Sequence, residues 1–303
     1  MICYPTSVRI VEVGPRDGLQ NESRSVSIEA KVSLIESLAG AGLKTVEAGS
    51  FVSPQWIPQM ADTAEVLAKL QKIPDVSYPV LVPNLRGLDA ALTSGATEIA
   101  VFAAASESFS QRNINASIDE SLIRLGPVAE KALARSLKVR GYVSCVLGCP
   151  YEGEIVPEAV ARVGSELLAM GCYEISLGDT IGVGTPLKTQ AMLNAVFERV
   201  PPHQLAVHFH DTYGQALANI FASLQMGISV VDSSVGGLGG CPYAPGAAGN
   251  VATEDVVYML NGMGIETGVN LEQLAAVGQR ISALFGRRPA SKVGIAMAAR
   301  ASS

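Results

Sequence analysis

Two histidines separated by one residue, His208 and His210, lie in the apolar stretch Val207-His208-Phe209-His210-Asp211. Alternate residues of a strand share a face, so the two imidazoles point the same way, about 6–7 Å apart along the chain. Such a pair near a strand end can share one metal ion, and two of the chain's 3 histidines are used here. A lone buried histidine is usually a structural donor, but a pair at this spacing is hard to explain as packing. The third, His203, follows Pro201-Pro202 and reads as surface loop. Near the amino terminus an apolar stretch ends in Gly14-Pro15-Arg16-Asp17-Gly18. These residues make a good turn; they also set a carboxylate ligand beside a fixed cation. Glu47 in Val46-Glu47-Ala48-Gly49-Ser50 and Asp179 in Leu177-Gly178-Asp179-Thr180 are carboxylates inside apolar stretches. A charge there is costly unless it is paired or faces a cation, so each marks either a salt bridge or a shared site. Residues 236–250 hold six glycines and one thiol, Cys241. A flexible linker or a phosphate-cradling nest would need glycine but no cysteine, whereas a mobile lid could carry the thiol over a reacting centre. Asn250 ends the segment and could offer its amide oxygen to a metal or cap the next helix.

These side chains need elements to gather them. Short apolar, β-branched runs recur at 8–14, 45–50, 76–83, 98–105, 138–147, 174–179, 205–211 and 230–235, each bounded by Gly, Pro, Asn or Asp. Helical period fills the gaps. Ile28, Val32, Ile35 and Leu38 form one stripe, with Ser27 placed to cap it and Gly40 or Gly42 to end it. Leu217, Ile220 and Leu224 form another, ended by Gly227. Near-continuous apolar strands alternating with helices predict a parallel sheet covered by helices. Eight such units predict an α/β fold, a (β/α)8 TIM barrel in one domain over 1–303, with the barrel at about 7–262 and C-terminal helices at about 263–296. The small-residue tail from Met297 to Ser303 reads as frayed. A barrel puts chemistry at the C-terminal ends of its strands, where the residues above fall.

Composition excludes several classes. Lys and Arg number 22 against 28 Asp and Glu, a net charge of −6, so a nucleic-acid binder is not expected. The chain is 48% hydrophobic and 17% charged, too apolar for disorder. No apolar run reaches membrane-spanning length, and neither a signal-peptide core nor an Arg-rich transit segment is visible, which points to no membrane partner and a cytoplasmic location. The 5 cysteines are scattered and form no disulfide framework; Cys145 and Cys149, in an apolar run, read as core.

The stretch Val11-Glu12-Val13-Gly14-Pro15-Arg16-Asp17-Gly18-Leu19-Gln20-Asn21-Glu22 resembles the opening motif of the hydroxymethylglutaryl-CoA lyase family. The stretches 141–153, 171–185, 208–219 and 230–259 are similar to that family as well, and the likeness runs from about residue 7 to about residue 293. The His-x-His run is shared with related Claisen-type synthases; the opening motif and the cysteine segment are specific to the lyases. The resemblance implies a (β/α)8 barrel holding Mg2+ or Mn2+, an acyl-CoA substrate and a homodimer. By position, Asp17, His208, His210 and Asn250 match the metal ligands. Arg16 matches the arginine that stabilises an enolate, and Cys241 the catalytic cysteine. Glu47, Asp179 and Gln20 match positions near metal and substrate. Animal members carry a targeting segment and a peroxisomal C-terminus, neither of which is seen here, so a bacterial-type cytoplasmic enzyme is expected.

The implied reaction cleaves 3-hydroxy-3-methylglutaryl-CoA to acetyl-CoA and acetoacetate, with either Asp17 or His208 as proton acceptor. The alternatives are a lyase for a longer branched 3-hydroxyglutaryl-CoA, an acyl-CoA plus 2-oxo acid condensing enzyme, and a non-catalytic metal-binding barrel. The segment 108–113, after the fourth run, is a candidate CoA-contacting loop.

Overall fold

The computed structural model describes the backbone of residues 4–241 and 244–301 and the side chains of 4–240 and 249–300. Nine strands form one sheet: β1 (Arg9–Glu12), β2 (Thr45–Val46), β3 (Gly49–Ser50), β4 (Val80–Leu81), β5 (Glu98–Ala104), β6 (Lys138–Ser144), β7 (Glu174–Asp179), β8 (Leu205–Phe209) and β9 (Val230–Ser233). Their order is β2-β1-β9-β8-β7-β6-β5-β4-β3, and every pairing is parallel. The two ends of that order, β2 and β3, are neighbouring pieces of the second apolar run. Between them the Glu47 N–H donates to the Glu12 carbonyl, while the Ala48 N–H donates to the Pro79 carbonyl. The second run is thus bonded on both sides, with Thr45 bridged both to Val11 of β1 and to Ser77 ahead of β4, and the sheet curls back on itself. The result is an α/β, TIM-barrel-like architecture. The third run is shorter than its apolar pattern suggests. Only Val80–Leu81 is regular strand; Pro79 has no N–H to donate and interrupts the ladder, leaving Ser77 as an isolated bridge to Thr45.

Helices cover the outside where the 3.6-residue stripes predict them. Ser27 accepts a bond from the Ala30 N–H and opens α1 (Ile28–Gly40). The helices α2 (Thr63–Lys69), α3 (Leu85–Thr93), α4 (Glu107–Ile114), α5 (Ile118–Ala134), α6 (Pro157–Ala169), α7 (Pro186–Phe197), α8 (Ala216–Gln225) and α9 (Thr253–Gly262) follow in turn. Among the described residues, no helix is long and apolar enough to cross a membrane. After β9 the chain forms a two-stranded antiparallel hairpin, β10 (Gly240–Cys241) with β11 (Ala244–Ala248). Then come α10 (Leu271–Leu284) and α11 (Lys292–Ala301). The tail is thus not frayed from Met297: α11 continues to Ala301 because its Ala-rich sequence is a strong helix former and because α9 caps it. The Asp255 carboxylate accepts from the Val293 and Lys292 N–H groups at 2.8 and 3.2 Å.

The sheet interior is not purely aliphatic. Arg140 on β6, 1% exposed, donates to both oxygens of Asp232 on β9 at 2.7 and 3.0 Å and to Glu174 on β7 at 2.8 Å. Arg9 also pairs with Glu174. Three strands are tied by one guanidinium in a site that excludes water. Removing Arg140 takes the guanidinium away from buried Asp232, while Glu174 keeps Arg9, and breaking such a buried pair costs about 3–5 kcal/mol. Arg140→Ala is expected to lower the urea denaturation midpoint accordingly; an unchanged midpoint would show that the network contributes nothing to stability.

Candidate active site

The chain leaves β1 at Glu12 and makes a single π-helical turn, Gly14–Gly18. The expected turn is therefore present, in a form that is rare and that gathers at functional sites. It projects Arg16 and Asp17 side by side. Arg16, 6% exposed, donates from Nη1 to Asp17 Oδ1 at 2.6 Å and from Nε to Glu47 Oε2 at 2.7 Å. Glu47 sits between β2 and β3, beside Glu12 of β1 in the sheet, so strand pairing also delivers the carboxylate that fixes the guanidinium. Nη2 of Arg16 has no hydrogen-bond partner among the described residues.

His208 lies on β8 and His210 one residue past its end. An antiparallel bridge between His210 and Asn250 extends that strand. The Asp211 N–H donates to the Gly249 carbonyl at 2.7 Å and the Val251 N–H to the Phe209 carbonyl at 3.2 Å, which brings Asn250 to the same rim. Asp17 Oδ2 stands 3.8 Å from His208 Nε2 and 4.0 Å from His210 Nε2. One ligand atom from each of the three residues lies within 4.8 Å of the others. Asn250 Nδ2 donates to Asp17 Oδ2 at 2.8 Å; to act as a ligand its amide must turn so that Oδ1 faces the cluster. The donor set fits a divalent cation. His208 Nδ1 faces Asp232 Oδ2 at 3.2 Å, which leaves Nε2 directed toward Asp17. Buried His210 Nδ1 has no partner among the described residues.

The charges are consistent with that use. Burial alone would raise the Asp17 carboxyl, but the Arg16 guanidinium, aided by the two imidazoles and the Asn250 amide, holds it well below the usual carboxylate range. Asp17 is therefore an anion at physiological pH. Burial pushes His210 down to about 4, helped by neighbouring His208, so its imidazole is neutral at physiological pH, as a ligand must be. Burial raises Glu47 above the ordinary carboxylate value even against its pairing with Arg16.

The remaining sequence candidates are placed as follows. Asp179, with no exposure, turns its carboxylate to the N–H groups of Val183 at 3.2 Å and Gly184 at 2.8 Å and so holds the loop after β7. Burial lifts it to about 6. Gln20 lines a cleft of about 250 Å3 together with Arg16, His208, Leu81, Phe102 and Phe109. Cys241 has its backbone in β10, but its side chain is outside the described residues. Cys145 and Cys149 are core, with Ser106 Oγ 2.9 Å from Cys149 Sγ. His203 is exposed on a short 3-10 turn. The segment 108–113 is not a loop: it lies within α4, because Ser106 caps the Phe109 N–H at 3.0 Å and starts a helix there.

Sequence reasoning passed over Asp232, Arg140 and Tyr142. Asp232 also accepts from Ser176 Oγ at 2.7 Å, and Tyr142 lies between Arg140 and Arg16, 4.9 and 5.5 Å from ring centroid to guanidinium carbon. The available signal was a charged residue inside each of two apolar strands, β6 and β9.

Comparison with known proteins agrees with this geometry. The family model described as HMGL-like matches residues 7–281. The chain is 59% identical over 297 residues to the 3-hydroxy-3-isohexenylglutaryl-CoA/hydroxy-methylglutaryl-CoA lyase of Pseudomonas aeruginosa, covering 98% of this chain and 99% of that one. It is 62% identical over 290 residues to the mitochondrial hydroxymethylglutaryl-CoA lyase of Bos taurus, covering 96% and 89%. The crystal structure of hydroxymethylglutaryl-CoA lyase from Pseudomonas aeruginosa superposes with a TM-score of 0.97 at 58% identity, covering 98% of this chain and 99% of that one. The chain belongs to the HMGL-like family, whose relatives named here are hydroxymethylglutaryl-CoA lyases.

Proposed function

We propose that this chain is a divalent-metal-dependent lyase that cleaves 3-hydroxy-3-methylglutaryl-CoA to acetyl-CoA and acetoacetate. The observation that carries the reading is the meeting of Asp17, His208 and His210 beside the buried Arg16. The single-domain (β/α)8 barrel over 1–303, the homodimer and the cytoplasmic location belong to the same reading.

The reaction breaks the C2–C3 bond of a tertiary alcohol. The hydroxyl proton leaves, a ketone forms at C3, and the bonding pair moves to the thioester as an acetyl-CoA enolate. Proton transfer to C2 then completes acetyl-CoA. Mg2+ or Mn2+, held by Asp17, His208, His210 and Asn250, supplies Lewis-acid polarisation of substrate oxygens when bound. Asp17 or His208 takes the hydroxyl proton. Arg16 stabilises the developing enolate oxygen; Glu47 and Asp17 hold its guanidinium in place before the reaction, so no reorganisation is needed at that moment. Gln20 lines the substrate cleft, and Asp179 keeps the loop after β7 in shape around it. Cys241 returns a proton to C2, since an ordinary thiol pKa of about 8.5 leaves it mostly protonated at neutral pH.

A second reading has one observation in its favour. The wall of Leu81, Phe102 and Phe109 offers more apolar surface than a methyl group needs, which suits a longer branched 3-hydroxyglutaryl-CoA. A panel of thioesters differing only in the C3 substituent separates the two.

Three outcomes test the lyase. Acetoacetate release from the hydroxymethylglutaryl thioester is expected to stop in a chelator and return with added Mg2+ or Mn2+; full activity in the chelator contradicts the metal role. Arg16→Gln is expected to retain Mn2+ binding yet lower turnover by about 10²–10³-fold, the usual effect of losing one such donor. Turnover close to the parent's removes Arg16 from the enolate role. Cys241→Ser is expected to fold with an unchanged far-UV spectrum and lose nearly all turnover, because a serine hydroxyl is a much weaker acid; an active serine enzyme assigns the proton to another group.

A further inference from the structure

Glu12, the last residue of β1, is completely buried and lies outside the metal cluster. Its Oε1 accepts from the Gly14 N–H at 2.8 Å and from the Val235 N–H at 2.9 Å, and its Oε2 accepts from the Thr253 hydroxyl at 2.6 Å. No ion pair includes it among the described residues. Its partners come from three separate places. Gly14 opens the π turn that carries Arg16 and Asp17. Val235 follows β9 at the root of the segment that ends at Asn250. Thr253 opens α9, and its oxygen also accepts from Ser233 Oγ at 2.9 Å. The next residue, Glu254, holds the Gly236 N–H with both oxygens, at 2.9 and 3.0 Å.

The spacing of the glycines points the same way. A Cβ on Gly14 would stand 2.6 Å from Glu12 Oε1 and 3.1 Å from Ser234 Oγ. A Cβ on Gly18 would stand 2.7 Å from Ser234 Oγ and 2.8 Å from Leu238 Cβ. The π turn therefore packs against residues 234–238 with no space between them. The two segments joined in this way are those that deliver Asp17 and Asn250, which meet at 2.8 Å.

We propose that Glu12 is a positioning residue for the lyase reaction: its carboxyl fixes the Arg16–Asp17 turn to the root of the 236–250 segment and so sets the geometry between Asp17 and Asn250. The inference rests on the lyase reading for its kinetic consequence, but the positioning itself is readable from metal affinity alone. What matters is the reach and shape of the side chain, because every partner of Glu12 is a neutral donor.

The test compares the full chain with Glu12→Gln and Glu12→Asp, by acetoacetate release and by Mn2+ titration followed by electron paramagnetic resonance. The amide keeps a carbonyl oxygen for the Gly14 and Val235 N–H groups, so Glu12→Gln is expected to stay within about threefold of the parent in kcat and in Mn2+ Kd. Aspartate keeps the charge but is one methylene short. Glu12→Asp is expected to lower kcat by about thirtyfold or more and raise the Mn2+ Kd about fivefold, with KM little changed, since misplacements near 1 Å cost about that much. An aspartate variant with parental kcat and Kd overturns the proposal, even if its denaturation midpoint falls. A glutamine variant as impaired as the aspartate one overturns it too, because charge would then be the requirement. If the aspartate chain fails to fold, Thr253→Val removes the donor to Oε2, together with the acceptor of Ser233 Oγ, and is expected to show the same pattern at about fivefold in kcat; no change there overturns the proposal. A parent chain that releases no acetoacetate while its variants show the Mn2+ pattern counts against the lyase reading and supports the role of Glu12.

Discussion

Asp17 remains an anion in a buried place, and the site depends on that. Its carboxylate is 2.6 Å from Arg16, which more than offsets the penalty of burial. The guanidinium is shared with Glu47 on its other side. With both carboxylates ionised, one positive group faces two negative ones, and the adjoining His210 is neutral. A local excess of one negative charge, with two imidazole nitrogens beside it, favours a divalent cation over an additional buried cationic side chain. The same arrangement holds Arg16 rigid at the cleft, where a developing enolate would meet it.

A second layer supports the first. Asp232 fixes His208 from behind, and Asp232 is itself fixed by Arg140 and Ser176. These groups sit on β6, β7, β8 and β9, four neighbouring strands, so the sheet sets their spacing. A change in any of those strands moves the imidazole. This accounts for ionic groups in a sheet interior that aliphatic side chains would fill at lower desolvation cost: the fold retains them where they orient a ligand.

Much of the arrangement was legible in the sequence. The alternation of apolar runs with helical stripes marked a parallel α/β sheet, and Ser27 caps the first helix as expected, with Gly40 its last residue and Gly42 left-handed just beyond. His208 and His210 share a rim because alternate strand residues must share a face. Arg16 and Asp17 stand together because they are adjacent on one turn. What the sequence did not reveal is pairing across distance. Nothing in Lys138–Ser144 says that Arg140 meets Asp232, 92 positions away. Nor does local pattern show that the second run has β1 on one side and the third run on the other. Asp179 stood out as a carboxylate in an apolar run, but its bonds to backbone N–H groups of its own loop were not visible there. The 108–113 segment read as loop from its place after the fourth run, and the Ser106 cap made it helix. In both cases a local hydrogen bond that composition does not reveal decided the outcome.

The central claim is that one cation site is built from groups far apart in the chain. Mn2+ titration of the purified protein, with pulsed electron paramagnetic resonance of the complex, tests it most directly. The account predicts one tightly bound ion per chain whose spectrum carries nitrogen couplings from two imidazoles. A protein that binds no ion, or binds one with no imidazole coupling, would contradict it.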